Sequence, residues 1–423
     1  LLKIKRTFKN SLLLFFFLVF TVQNTCFSQT LSTKEKNSVA ASLISQLRLN
    51  YVLQDSVPYI IAKFKENYKS PDFKKDQSPQ EFSEYLTRLL RAITKDAHFA
   101  VLHNPTLSGM LRQPQGDQDA LNQQLNAIGG GKAGPTFRKN FYFKKVEILD
   151  GNVGYLRLER MATLDESKAT LDAAMAFLSN SDAFILDLRG NPGGAGGFIP
   201  YLISYFFPAE KMLLYKREMP APAWDSISYH YTHRDLPGKR LIKNPVYILT
   251  DQFTGSAATN LAYTMQSFGR AKIVGENTGS GFRGAHSASL FPLPNGLLAL
   301  IPIAKVVNAK TNTNWRAKGV DPDIKTKSSE ALGAAYLKSL EELVKMETNA
   351  TNKKELISIY EERKAAKSNK ESPQTSQDVD KYVGEYEGGR VVWVEDNLLK
   401  YNRDEGPALI LKFRAADTYK ITL

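Results

Sequence analysis

The spacing of apolar positions changes several times along the chain, and each change marks a different kind of element. Across residues 32–103, Val39, Leu43, Ile44, Leu47 and Tyr51 recur at helical spacing, as do Leu86, Leu89, Leu90 and Ile93. That period predicts an N-terminal helical subdomain. Residues 104–140 open with a stretch rich in Gln, Asn and Gly and are expected to form a loop or linker. Short β-branched runs then appear at 141–146, 153–158, 183–188, 246–250 and 271–274, with later ones at 297–303 and 306–307. Helical patterns lie between them. One opens on the capping-box sequence Thr163-Leu164-Asp165-Glu166, one runs over 198–206, and one starts at Ser256 and stops at Gly269. Strands alternating with helices predict an α/β core over 141–330, built on a mostly parallel sheet with its site at the strand C-termini. Residues 331–377 read as a helical linker, and 378–423, where Tyr, Val and Leu alternate with turn residues, as a small β module.

The first 28 residues stand apart. Lys3, Lys5, Arg6 and Lys9 precede an apolar run from Leu12 to Val22, and Cys26 and Ser28 occupy the small-residue positions of a cleavage site before Gln29. This is the pattern of a signal peptide over 1–28, with an apolar run too short for a membrane span. It predicts an exported protein, periplasmic or extracellular, with no integral span after processing. Gln23-Asn24-Thr25 lacks the small apolar residues that precede a lipoprotein cysteine, which argues against a lipid anchor at Cys26. Cys26 is the only cysteine, so no disulfide framework and no cysteine nucleophile are expected.

Formal net charge is +13, and removing the four cations of the leader leaves about +9 (13 − 4). Much of that excess sits in the Lys-rich run near 353–370 and is not interleaved with aromatic residues, so nucleic acid is not expected as a partner.

Two strand ends carry the candidate chemistry. After 183–188 comes Leu188-Arg189-Gly190-Asn191-Pro192-Gly193-Gly194, a sharp turn with two residues whose N–H groups a ligand oxygen can approach. After 246–250 comes Asp251-Gln252-Phe253-Thr254-Gly255-Ser256, which delivers a serine hydroxyl to the start of a helix. One turn offers an oxyanion hole and the other a nucleophile. A neutral-pH base of imidazole type must come from His98, His103, His230, His233 or His286. Taken alone, His98 reads first as a helix-end residue satisfying the last carbonyls. His286 reads as either a channel or a surface residue, and His230 and His233 as one helical face with no third metal ligand. Asp187 and Arg189 read as an ion pair at a strand end. No metal and no cofactor are expected.

Five ordered motifs resemble the S41 serine peptidases, the tail-specific or C-terminal-processing superfamily: Asp96-Ala97-His98, residues 186–194, Thr254-Gly255-Ser256-Ala257-Ala258, residues 274–279, and Gly319-Val320-Asp321-Pro322-Asp323. The resemblance covers roughly residues 35–330 and implies a ClpP/crotonase-like α/β fold. Asp-x-His after a helical region is similar to the branch of interphotoreceptor retinoid-binding protein and the tricorn protease core. The family implies Ser256 as nucleophile and peptides or protein tails as substrates. It implies an oxyanion hole from Gly193, Gly194 and Ala257, and His98 as general base, because residues 278–281 lack the lysine of the other branch. Where the family has a glutamate that orients the histidine, this chain has Arg316, a cation that would disfavour imidazolium. Asp96, Glu276 or Asp321 would then have to supply the carboxylate. The alternative is a catalytically impaired chain that binds a peptide or hydrophobic ligand in the same cleft.

Overall fold

The computed structural model describes residues 30–112, 136–223, 225–279, 286–316, 318–369 and most of 382–422. The leader, Cys26 and Gly129–Gly131 lie outside the described residues. The N-terminal unit comprises α1 (Thr33–Asn50), α2 (Val57–Glu66), the single turn α3 (Pro71–Lys74) and α4 (Pro79–Thr94). Helices α1 and α4 each begin with a complete capping box, Ser32 with Glu35 and Ser78 with Glu81, which satisfies orphan N–H groups of the first turn. Leu43, Leu47, Phe64, Phe82 and Leu86 are fully buried between them. Lys36 is buried as well; its ammonium donates to the carbonyls of Phe73 and Lys75 and to Gln77 Oε1, so the charge is solvated by protein dipoles.

Helix α4 ends at Lys95, in the left-handed region at φ 55°, and the chain turns through Asp96–His98 into β1 (Ala100–His103). The stretch expected as loop then opens with a helix, α5 (Pro105–Arg112). Asn104 Oδ1 accepts the Leu107 N–H at 2.9 Å and Pro105 takes the first helical position, a start signal that the Gln- and Gly-rich composition obscures.

The central sheet contains β2 (Phe143–Leu149), β3 (Val153–Leu158), β4 (Ala183–Asp187), β7 (Val246–Thr250), β8 (Lys272–Gly275) and β11 (Ile324–Lys325), in the order β11-β8-β7-β4-β3-β2. All neighbours are parallel except β2 with β3. Its inner strands β3, β4 and β7 are buried on both faces, as their unbroken apolar runs require. Phe184 and Leu186 pack with α6 (Leu164–Phe177), α7 (Phe198–Ser204) and α8 (Ser256–Ser267). Ala183 and Ile185, pointing the other way, pack with Ala331, Ala335, Leu340 and Leu343 of α9 (Ala331–Met346). Residues 331–346 are therefore a structural layer of the sandwich rather than a linker. Helix α10 (Ala350–Asn369) follows.

A second, antiparallel sheet stands beside this sandwich. It contains β1, β5 (Leu213–Met219), β6 (Ser226–Tyr231), β9 (His286–Pro292) and the twelve-residue β10 (Leu297–Asn308). Strand β10 joins the two late strands expected from sequence into one. It pairs with β9 along one edge, while β1 (Ala100 opposite Leu300) and β5 (Arg217 opposite Val306) lie end to end on the other. His230 sits on β6, so the spacing of His230 and His233 does not define a helical face. Tyr215 stacks on His230 at 4.6 Å, and His233 meets Tyr201 edge-on. Strands β12 (Gly384–Tyr386), β13 (Arg390–Glu395), β14 (Leu398–Arg403), β15 (Leu409–Ala415) and β16 (Thr418–Thr422) form a sequential antiparallel meander. Among the described residues, no helix is long and apolar enough to cross a membrane.

Candidate active site

The two turns singled out in the sequence are bolted together at the C-terminal ends of β4 and β7. The Gly255 N–H donates to the Asn191 carbonyl at 2.9 Å, and Thr254 Oγ1 donates to the Leu188 carbonyl at 2.9 Å. Asp251 Oδ1 accepts the N–H groups of Gly190, Phe253 and Thr254 within 3.0 Å, so one carboxylate oxygen holds both loops. Gly193 has φ +103°, and a Cβ there would lie 2.7 Å from the Ala257 nitrogen and 2.8 Å from Ser256 Cβ. Only glycine lets the two turns approach this closely.

Ser256 is the first residue of α8 and adopts φ 47°, a strained conformation for a serine. Helix hydrogen bonding begins one step later: the N–H groups of Ala258 and Thr259 both donate to the Gly255 carbonyl. The Ala257 N–H has no acceptor among the described residues, and neither does the Gly194 N–H. Gly193 differs from the expectation, because its N–H is committed to Asn191 Oδ1 at 2.9 Å. Asn191 Nδ2 is itself tied to the Leu158 carbonyl, which fixes the acceptor in place. Thr259 Oγ1 turns back to the Thr254 carbonyl.

His98 and Ser256 line one cavity of about 310 Å³, together with Gly194, Ala257 and His286. Three elements converge on it: the α4–β1 turn brings His98, the start of β9 brings His286, and the start of α8 brings the serine. Asp96 Oδ1 accepts both the His98 N–H and His98 Nδ1–H, at 2.9 and 2.8 Å, and Asp96 Oδ2 accepts His286 Nδ1–H at 2.8 Å. A carboxylate can only accept, so each Nδ1 carries the proton that it donates and Nε2 is the remaining nitrogen of each ring. Burial alone would raise the Asp96 carboxyl. The hydrogen bonds from His286 and His98, and the attraction of their rings, outweigh it and hold Asp96 far below the usual carboxylate range. Arg91 Nε, donating to the Phe99 carbonyl at 2.7 Å, braces the segment from the helix side.

The other carboxylates considered from sequence are engaged elsewhere. Glu276 Oε1 accepts the Ser328 N–H at 2.8 Å, and Asp321 Oδ1 accepts Asn277 Nδ2–H at 2.7 Å; neither lines the cavity. Arg316 is exposed and also absent from the lining, while its neighbour Trp315 is buried against it. Asp187 is fully buried in an ion pair with Arg189 at 2.5 Å and accepts the Tyr155 hydroxyl proton at 2.7 Å, a brace beneath the turn. Sequence reasoning did not bring out the cavity wall formed by the second sheet. Arg217 and Tyr215 of β5, His230 of β6 and Ser287 of β9 all line it. The alternation in 213–219 was the available signal, and the prolines at 220 and 222 made the region read as irregular. His286 is buried, which excludes a surface position. Among the described residues, no group of three or more His, Cys, Asp or Glu is placed to hold a metal.

Residues 152–326 match the family model described as Peptidase family S41. The chain is 28% identical over 176 residues to the carboxyl-terminal-processing protease of Picosynechococcus sp., covering 40% of this chain and 38% of that protein. It is 30% identical over 159 residues to the protein of the same name from Synechocystis sp., covering 36% and 33%. The chain thus spans a third to two fifths of the length of these curated relatives. The solved photosystem II D1 C-terminal processing protease superposes with a TM-score of 0.42 at 15% identity, over 70% of this chain and 94% of that one.

Proposed function

Given that residues 152–326 match the model of peptidase family S41, we propose that this protein is an exported serine peptidase that cleaves peptides or protein tails through an acyl-enzyme on Ser256. The observation that carries the reading is the shared cavity: a serine in a strained helix-start conformation faces the same space as a histidine anchored on a carboxylate.

In this mechanism His98 Nε2 takes the Ser256 hydroxyl proton as Oγ attacks the scissile carbonyl carbon. Asp96 keeps Nδ1 protonated and stabilises the imidazolium, the part that Glu276 and Asp321 are too committed to play. His286 holds Asp96 from its other oxygen and so fixes the direction in which the carboxylate presents Oδ1 to His98. The tetrahedral oxyanion is received by the N–H groups of Ala257 and Gly194, each such donor lowering the barrier by about 3 kcal/mol. The positive end of the α8 dipole adds to them. Gly193 contributes close approach rather than a donor. Collapse of the intermediate passes the proton from His98 to the leaving amine, and water repeats the cycle to release the acyl group.

The test is labelling of the full chain with a fluorophosphonate probe, comparing wild type, Ser256→Ala and His98→Ala. Loss of labelling in both variants is expected. A folded wild type that does not label overturns the serine mechanism and favours a protein that binds peptide in this cleft without cleaving it.

A further inference from the structure

The cavity that Ser256 lines is also lined by a guanidinium with no counter-charge among the described residues. Arg217, on β5, is half-buried and lines the cavity, and its Nε donates to Ser287 Oγ at 3.0 Å. No carboxylate lies within ion-pairing distance of it among the described residues, and no Asp or Glu is among the cavity's described lining residues. The nearest acid along the strand, Glu218, points to the opposite face, where it pairs with Lys216 at 2.8 Å and Lys305 at 3.4 Å. Two other half-buried arginines are matched: Arg189 by Asp187, and Arg270 by the carbonyls of Phe206 and Leu241. Among the described residues, Arg217 has only a neutral hydroxyl as partner. Asp96 is set behind the cavity wall, and its charge is already shared by two imidazoles.

A guanidinium stays charged at neutral pH even when burial disfavours it, so the cavity wall presents a partly desolvated cation. Ser287 fixes the plane of the group by its Nε, which leaves the Nη edge for a planar, two-oxygen partner. We propose that Arg217 is the specificity residue of this site and binds a carboxylate of the substrate, so that the bond presented to Ser256 lies at a set distance from that charge. This rests on the peptidase reading for its cleavage step but not for its binding step. Two sources supply the same chemistry: the α-carboxylate at a chain terminus, or an Asp or Glu side chain.

The experiment uses defined 14-residue peptides, each made with a free C-terminus or a C-terminal amide, and with its acidic side chains intact or replaced by Asn and Gln. Cleavage by wild type, Arg217→Gln and Arg217→Lys is followed by mass spectrometry, and binding to Ser256→Ala by fluorescence anisotropy. Wild type is expected to favour one carboxylate-bearing form over its neutral counterpart by about 10- to 100-fold in kcat/KM, and Ser256→Ala to show the same preference in Kd. Preference for the free C-terminus assigns the α-carboxylate, and preference for acidic over amide side chains assigns the side chain. Arg217→Gln brings the ratio close to one, and Arg217→Lys keeps part of it. Because the ratio is taken within each protein, a general loss of activity does not imitate the effect. A wild-type ratio near one, in both cleavage and binding, overturns the proposal whatever the variants do. A carboxylate preference in binding without any cleavage leaves it standing and removes the peptidase reading instead.

Discussion

His286 Nδ1 donates to Asp96 Oδ2 at 2.8 Å, across 190 residues of chain, while Asp96 Oδ1 serves His98. The carboxylate is thus held from both oxygens, and only one of the two rings belongs to the local Asp-x-His turn. His286→Ala leaves a buried carboxylate oxygen without its donor, which typically costs about 1–3 kcal/mol. We expect fluorophosphonate labelling to slow by roughly 10-fold or more, with a changed acid limb of its pH profile and partial recovery in His286→Asn. Unchanged rate and profile in His286→Ala would show that the second ring does not support the first. Abolished labelling there, with labelling retained in His98→Ala, would transfer the base to His286.

Much of the central sheet was legible because its strands are short apolar runs with sharp polar ends: β3 and β7 occupy the residues that the pattern marks. The serine at the start of α8 was legible for the same reason. The second sheet was not. The roles of Arg217 and His286 arise only when β10 carries β5 on one edge and β9 on the other, a pairing that no local window contains. The choice among Asp96, Glu276 and Asp321 was likewise open in sequence, since all three lie near a motif. It closes on hydrogen bonds to residues 44 or more positions away: His286 for Asp96, Ser328 for Glu276, Asn277 for Asp321.

His230 gives a pH signature. Burial first, and then the charge of Arg217, lower its pKa to about 4, against an ordinary value of 6.5. A histidine depressed on folding binds fewer protons folded than unfolded between those values. Its contribution to stability is therefore complete above about pH 6.5 and is lost as pH falls toward 4. Replacing His230 by Phe, which can keep the stacking on Tyr215, is expected to flatten the urea-midpoint profile over that window. Arg217→Gln should flatten it partly, by removing the smaller cause. A wild-type slope that persists in His230→Phe would place the titration elsewhere.

Gly193→Ala tests whether the two turns must touch. The new Cβ would meet the Ala257 nitrogen at 2.7 Å and the Gly255 oxygen at 2.8 Å, on a backbone at φ +103°. Backbone strain and overpacking of this kind cost about 1–3 kcal/mol. Labelling of Ser256 should fall more steeply than stability, because the displaced atoms belong to the serine turn itself. Calorimetry and labelling on the same sample separate the two, and an alanine variant that labels like wild type would mean that the contact is not needed.

Helix α9 supplies the last prediction. Leu340 is fully buried and packs with Val153, Ile185 and Leu249, so the face of the sheet opposite the serine helix depends on it. If residues 331–346 were only a connector, shortening Leu340 would be nearly neutral. As a layer of the sandwich, Leu340→Ala should cost about 2–5 kcal/mol, from lost apolar transfer and the cavity left behind. Tyr336 ties the same helix to the β2–β3 turn by donating its hydroxyl proton to the Asp150 carbonyl at 2.7 Å, so Tyr336→Phe should be milder. Chemical denaturation of both variants orders them. A Leu340→Ala midpoint equal to wild type would return residues 331–346 to the status of a linker, and a chain ending at residue 330 would then be expected to fold.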